Sequence, residues 1–105
     1  MAAGSCRRRT AATSPAVKVL WTGPAVRDVE AHVRYLGQFN ERAARELAIS
    51  LVKAGDSLAA MPDRGRPGRI AGTRELVALY PYVIVYEVGP ESVTIQRIWH
   101  GKLLA

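Results

Sequence analysis

The stretch that decides the fold is PDRGRPGRIAGTRELVALYPYVIVYEVGPESVTIQRIWHG, which spans residues 62–101. It opens with a loop, 62–73, that is rich in glycine, proline and arginine and therefore a poor site for regular structure. Strands are predicted after the loop at 73–80, 82–88 and 93–99. Segment 82–88 (YVIVYEV) is mostly apolar on both of its sides, which is typical of a central strand covered on both faces of a sheet.

Alternation along the last strand predicts that successive side chains point to opposite faces of the sheet. One face would carry Val93, Ile95, Arg97 and Trp99, and the other would carry Thr94, Gln96, Ile98 and His100. Because Arg97 has apolar neighbours, we expect it to be partly buried and paired with a carboxylate such as Glu75 or Glu87.

Upstream, a strand is predicted at 17–21, followed by two helices. Thr22 or Gly23 caps the first helix, which ends near Gly37, and Asn40 caps the second, which Met61-Pro62 should stop. The first helix has an apolar stripe at helical spacing, formed by Val26, Val29, Val33 and Leu36. The stripe of the second helix comprises Ala44, Leu47, Ala48, Leu51, Gly55 and Leu58, and is widened by Ile49 and Val52. His32 falls off the first stripe and is predicted to lie at the surface.

These elements predict an α+β domain with the order β-α-α-β-β-β, in which an antiparallel helical hairpin packs on a small, mainly antiparallel twisted sheet. Residues 17–105 form this single domain. Residues 1–16 are small, polar and basic, and are expected to be a disordered N-terminal arm.

The net charge is +6, but residues 7–9 are three arginines in the predicted arm, so the domain itself carries +3. A mildly basic domain is suited to phosphates or to acidic proteins. No apolar run is long enough to span a membrane, and no export signal is recognised, so a cytoplasmic location is expected. One cysteine and two histidines give no basis for a metal site or a cofactor.

Several short motifs occur in a specific order along the chain. They are Trp21-Thr22 leading into Ala25 and Asp28; Pro62, Gly65-Arg66 and Arg69 in the loop; Gly72 with Arg74-Glu75-Leu76; Pro81-Tyr82-x-Ile84-x-Tyr86; and Ile95-x-Arg97-x-x-His100-Gly101. In this order and with these gaps, residues 17–102 resemble the ParE/RelE superfamily of toxins from type II toxin–antitoxin modules.

The Arg-Glu-Leu, Pro-Tyr and His-Gly motifs are more similar to the ParE branch. That resemblance implies a non-enzymatic toxin of a plasmid-stabilisation type of module, which binds DNA gyrase and is neutralised by a ParD-like antitoxin in a hetero-oligomer. The residues expected to bind the target are Arg66, Arg69, Arg74, Arg97 and Lys102. The residues expected to contact the antitoxin are Val26, Val33 and Leu58.

The alternative is a RelE-like endoribonuclease that cleaves messenger RNA on the ribosome. Cleavage at a 2′-hydroxyl needs an acid, a base and cations around one phosphate. The candidate set is Arg69, Arg74, Tyr82, Arg97 and His100. A third possibility is a degenerate toxin that only binds its antitoxin and helps it regulate transcription. Direct contact with nucleic acid stays open at this point.

Overall fold

The computed structural model describes residues 17–101, so the predicted arm and Lys102 lie outside the described residues. Its elements in chain order are β1 (Lys18–Trp21), α1 (Gly23–Gly37), α2 (Glu41–Ser57), β2 (Arg66–Pro67), β3 (Arg74–Leu79), β4 (Tyr82–Val88) and β5 (Ser92–His100). The predicted α+β class and the order of the predicted elements are confirmed.

The strands form one five-stranded sheet in the order β1-β5-β4-β3-β2. β1 runs parallel to β5, and the other three pairs are antiparallel. The predicted central position of β4 is therefore correct. The two-residue β2 was not predicted, because it lies inside the glycine- and proline-rich loop and ends on Pro67, a residue that a sheet tolerates only at its edge.

Both helices begin where their capping residues predict. The Thr22 hydroxyl accepts a hydrogen bond from the Ala25 N–H (3.2 Å) and donates one to the Ile95 carbonyl (2.9 Å), which ties the start of α1 to β5. The Asn40 side chain accepts from the Ala43 N–H at 3.0 Å. α2 ends at Ser57, four residues before the predicted stop.

The helices pack on one face of the sheet, which we call the helix face. α2 buries Ala44, Leu47, Leu51 and Gly55, as its predicted stripe requires. Two details of the stripes were wrong. Ile49 and Val52 are about half exposed (51% and 48%), and α1 buries Ala25 completely while Val26 is 41% exposed. Gly55 lets α2 approach β1 closely, because a Cβ there would collide with the Trp21 indole.

A β-bulge in β5 reverses its side-chain alternation. Tyr86 pairs with Ile95 and Val85 pairs with Arg97, so Gln96 has no partner in the register with β4. The predicted faces of β5 were therefore wrong beyond this point. Val93, Ile95, Ile98 and His100 lie on the helix face. Thr94, Arg97 and Trp99 lie on the opposite face, which we call the outer face.

Candidate functional site

Glu75 holds the loop 62–73 against the sheet. It is 4% exposed, and its carboxylate accepts hydrogen bonds from the Arg69 backbone N–H (3.0 Å) and the Arg66 guanidinium (3.2 Å). The Arg69 guanidinium also lies 3.5 Å away. Burial alone would raise the pKa of Glu75, but these hydrogen bonds and charges outweigh it and lower the pKa below its ordinary value of 4.5. The loop conformation thus depends on an ionised carboxylate.

A second buried group, the Tyr86 hydroxyl, fixes the start of the same loop. It donates to the Pro62 carbonyl (2.8 Å) and accepts from the Gly65 N–H (2.9 Å). Arg74 donates to the Gly65 carbonyl at 2.6 Å and pairs with Asp63 at 3.5 Å. Burial raises the pKa of Tyr86, so the hydroxyl keeps its proton at neutral pH.

These contacts give the predicted target-binding arginines of the loop a structural role as well. Arg66, Arg69 and Arg74 all pair with carboxylates. The side chains of Arg66 and Arg69 are 62% and 52% exposed, so they still present charge to solvent. Four arginines face two carboxylates between residues 63 and 75, so this part of the surface stays positive.

Arg97 was predicted to pair with a carboxylate such as Glu75 or Glu87, but it pairs with Asp28 on α1. Its guanidinium donates two hydrogen bonds to the Asp28 carboxylate, at 2.7 and 3.1 Å. The same carboxylate accepts the Ile98 backbone N–H at 2.9 Å. Partial burial of Asp28 would raise its pKa, but these donors lower it below the ordinary value of 3.8. The Asp28 hydrogen bond in turn raises the pKa of Arg97.

His32 completes this contact between α1 and β5, and its predicted surface position is wrong. Its Nε2 lies 2.8 Å from the Ile98 carbonyl. Asp28 and His32 are one helical turn apart, and together they satisfy both backbone groups of Ile98. β1 ends opposite Ile95, so α1 side chains take over the hydrogen bonds that a neighbouring strand would otherwise make.

His32 also belongs to a cluster of four rings that we call the aromatic pocket, defined by His32, Tyr35, Tyr82 and His100. The pocket has a volume of about 350 Å³. Tyr82 is 8% exposed, and it packs edge-on between the two imidazoles with centroid distances of 5.2 Å to His32 and 5.1 Å to His100. The Nδ1 atom of His100 is buried without a hydrogen-bond partner in the described part of the chain.

An apolar groove lies on the other side of α1. We call it the helix groove, and its lining residues are Trp21, Val26, Val29, Glu30 and Val52, around a volume of about 290 Å³. Of the three predicted antitoxin contacts, Val26 lines this groove and Val33 is half-buried beside the core. Leu58 is fully buried, so it has no surface to offer a partner, and we remove it from the set.

The five candidate nuclease residues do not come together. Tyr82 and His100 touch in the aromatic pocket on the helix face. Arg74 pairs with Tyr86 across the sheet, and Tyr86 lies four residues, or roughly 13 Å, along β4 from Tyr82. Arg97 projects from the outer face of β5, and Asp28 of α1 binds it at the edge of that strand. In the sheet, Val85 of β4 lies opposite Arg97 of β5 on one side and opposite Glu75 of β3 on the other. Residues that lie opposite each other point to the same face, so Arg97 shares the outer face with the Glu75–Arg66–Arg69 cluster.

Sequence reasoning missed His32, Tyr35 and the role of Asp28. The available signal was the Asp28–His32 spacing of one helical turn, but nothing in the sequence shows that a strand edge faces it. Within residues 17–101 there is no group of three or more histidine, cysteine or acidic side chains arranged to hold a metal ion. None of the helices described is long and apolar enough to cross a membrane.

Comparisons with known proteins agree with this geometry. Residues 19–103 match the family model for the ParE toxin of the type II toxin–antitoxin system parDE. The chain is 46% identical over 87 residues to Toxin RelE2 of Caulobacter vibrioides, covering 83% of this chain and 98% of that toxin. It is 37% identical to the putative toxin Y4kP of Sinorhizobium fredii, covering 80% and 88% of the two chains.

Two solved structures are similar in fold. A chain of the chromosomal ParDE toxin–antitoxin system from P. aeruginosa superposes with a TM-score of 0.73 at 22% identity, over 80% of this chain and 95% of that one. A chain of the toxin–antitoxin complex RelBE2 from Mycobacterium tuberculosis superposes with a TM-score of 0.58 at 24% identity, over 81% and 98%.

Proposed function

Because the chain belongs to the ParE/RelE superfamily of type II toxins, we propose that it inhibits DNA gyrase by binding and that a ParD-like antitoxin neutralises it. The observation that carries the choice of a binding inhibitor over a nuclease is the separation of Arg74 and Arg97 from Tyr82 and His100. Such an inhibitor acts in the cytoplasm, where gyrase and the chromosome are.

The separation matters because RNA cleavage places an acid, a base and a cation around one phosphate. Tyr82 and His100 could supply a proton donor and acceptor, but no Lys or Arg within residues 17–101 lines the aromatic pocket. The outer face carries Val83 and Val85 in its middle, buried to 6% and 1% exposure, and Arg97 there is already paired. Neither face combines the three groups.

The surface proposed to meet the target is the positive outer margin formed by Arg66, Arg69 and Arg97. All three side chains are at least half exposed even though they are paired, at 62%, 52% and 52%. Charge of this kind contributes more to association rate and to partner selection than to affinity. The side chain of Arg74 is 33% exposed, the lowest exposure among the predicted target-binding arginines. We therefore assign Arg74 to holding the loop 62–73 and not to binding the target.

The antitoxin is proposed to occupy the helix groove. Exposed Val26 and Val52 lie on facing helices beside Trp21, and exposed Ile49 extends the apolar strip one turn along α2. This spacing suits an amphipathic helix that inserts apolar side chains at intervals of three or four residues. The groove is lined almost entirely by apolar atoms, so burying it would stabilise a complex mainly through the hydrophobic effect.

The groove assignment is tested with two adjacent substitutions on α2, Val52→Asp and Lys53→Asp. Both positions are exposed, so both variants should fold, and both place an aspartate on the surface of α2. Calorimetric titration with the small protein encoded beside the toxin should show affinity lowered at least tenfold for Val52→Asp only, because a carboxylate would be buried in the groove. Equal affinities for the two variants would place the antitoxin elsewhere.

The choice of target is tested by mapping the 5′ ends of messenger RNA in cells after toxin induction. A gyrase inhibitor leaves transcripts intact while plasmid supercoiling falls. Cuts that recur at a fixed position within codons, with normal supercoiling, would instead establish ribosome-dependent cleavage.

A further inference from the structure

We propose that the aromatic pocket (His32, Tyr35, Tyr82 and His100) is a binding site for a tyrosine side chain presented by a protein partner. The proposal rests on the geometry of the pocket and not on gyrase inhibition or on the helix groove. Either proposal can therefore fail while the other stands.

The pocket has room for an aromatic ring, and the residues described in its lining are themselves rings. Its volume of about 350 Å³ lies at the lower end of the roughly 300–1,000 Å³ that small-ligand sites span. All four lining side chains are rings. Tyr82 is locked edge-on between His32 and His100, and this arrangement presents ring faces and edges against which another ring can pack.

The hydrogen-bonding groups of the pocket match a phenol. The Ile98 carbonyl can only accept, so the Nε2 of His32 donates to it. The buried Nδ1 of His100 has no partner among the described residues. An imidazole nitrogen donates a hydrogen bond when it carries a proton and accepts one when it does not, and a phenol hydroxyl can do either. A phenol can therefore pair with an imidazole nitrogen of the pocket in either tautomer.

The electrostatics favour a neutral ring over a nucleotide. Among residues 17–101, no lysine or arginine lines the pocket to meet a phosphate. A neutral side chain of a protein meets this condition better than a nucleic acid does.

The rim of the pocket resembles a protein-binding surface. Tyr35 is 63% exposed and packs edge-on against Phe39, which is 71% exposed, with a centroid distance of 5.3 Å. Exposed aromatic side chains of this kind are enriched at the energetic centres of protein interfaces. Tyr35 contributes to both the rim and the lining, whereas Phe39 contributes only to the rim.

The experiment uses the two histidines of the chain, which both lie in the pocket. Long-range ¹H–¹⁵N NMR spectra of the imidazoles therefore report on this site alone. The full chain is titrated with N-acetyl-tyrosinamide, with N-acetyl-phenylalaninamide as the ligand that lacks the hydroxyl. We expect saturable shifts of both imidazoles with a dissociation constant on the order of a millimolar for the tyrosine compound, and weaker binding of the phenylalanine compound.

Two variants and one competing ligand complete the test. Tyr35→Ala removes a lining ring at an exposed position and should weaken binding severalfold, whereas Met61→Ala, which shortens an exposed apolar side chain outside the pocket, should leave it unchanged. Absence of saturable shifts, or equal binding by the two variants, would overturn the proposal. Tighter binding of adenosine than of N-acetyl-tyrosinamide would also overturn it, because the pocket would then be a nucleobase site.

Discussion

Replacement of Asp28 tests how α1 completes the edge of β5. In Asp28→Ala the Ile98 N–H loses its acceptor, and an unsatisfied buried donor costs about 1–3 kcal/mol. The lost pairing with Arg97, whose side chain is 52% exposed, adds only about 0.5 kcal/mol because solvent screens it. The higher helix propensity of alanine returns about 0.5 kcal/mol. The free energy of unfolding should therefore fall by about 2 kcal/mol.

Two companion variants separate the contributions of the carboxylate. Arg97→Ala removes the ion pair but leaves the Ile98 acceptor, so it should cost less than about 1 kcal/mol. Asp28→Asn keeps an acceptor oxygen without its charge and should cost about 1 kcal/mol. Urea unfolding followed by tryptophan fluorescence measures all three. If Arg97→Ala costs as much as Asp28→Ala, the ion pair dominates and the assignment of Asp28 as a substitute for a neighbouring strand is wrong.

Three further predictions concern stability. Gly55→Ala should lower the free energy of unfolding by about 1–3 kcal/mol, because the added Cβ would collide with the indole packed on it. Gly37→Ala should leave the free energy of unfolding unchanged, because a Cβ has room there. Equal thermal midpoints for the two variants would contradict this prediction. Tyr86→Phe should cost about 1–3 kcal/mol, because two loop backbone groups lose their buried partner; an unchanged urea midpoint would show that water replaces the hydroxyl. Stability should be constant above the ordinary pKa values of Glu75 and Asp28, 4.5 and 3.8, and fall as pH drops through their lowered folded-state values. The variant Glu75→Gln should lose part of that pH dependence, and an unaltered profile would argue against an ionised Glu75.

Much of the fold could be predicted because local signals and tertiary structure agree. Thr22 and Asn40 cap the helices as their side chains predict. The apolar run 82–88 becomes the central strand because only that position covers both of its sides. The order of the elements, together with the short motifs along the chain, identified the superfamily.

The errors arise where a long-range contact overrides a local pattern. The bulge at Gln96 shifts the alternation of β5 by one residue, and no residue type there signals it. That shift puts Ile98 and His100 on the helix face and Arg97 and Trp99 on the outer face, the reverse of what the alternation predicts. The periodicity of α1 did not show that its Asp28–His32 side faces a strand edge, so neither the partner of Arg97 nor the aromatic pocket could be anticipated.

The central claim is tested most directly by adding the purified protein, free of antitoxin, to a DNA gyrase supercoiling assay. A parallel reaction contains ribosomes programmed with messenger RNA. The account predicts that supercoiling is lost, or that cleaved DNA accumulates, that the RNA stays intact, and that the adjacently encoded antitoxin restores gyrase activity. Normal supercoiling accompanied by cleavage of the RNA would contradict it.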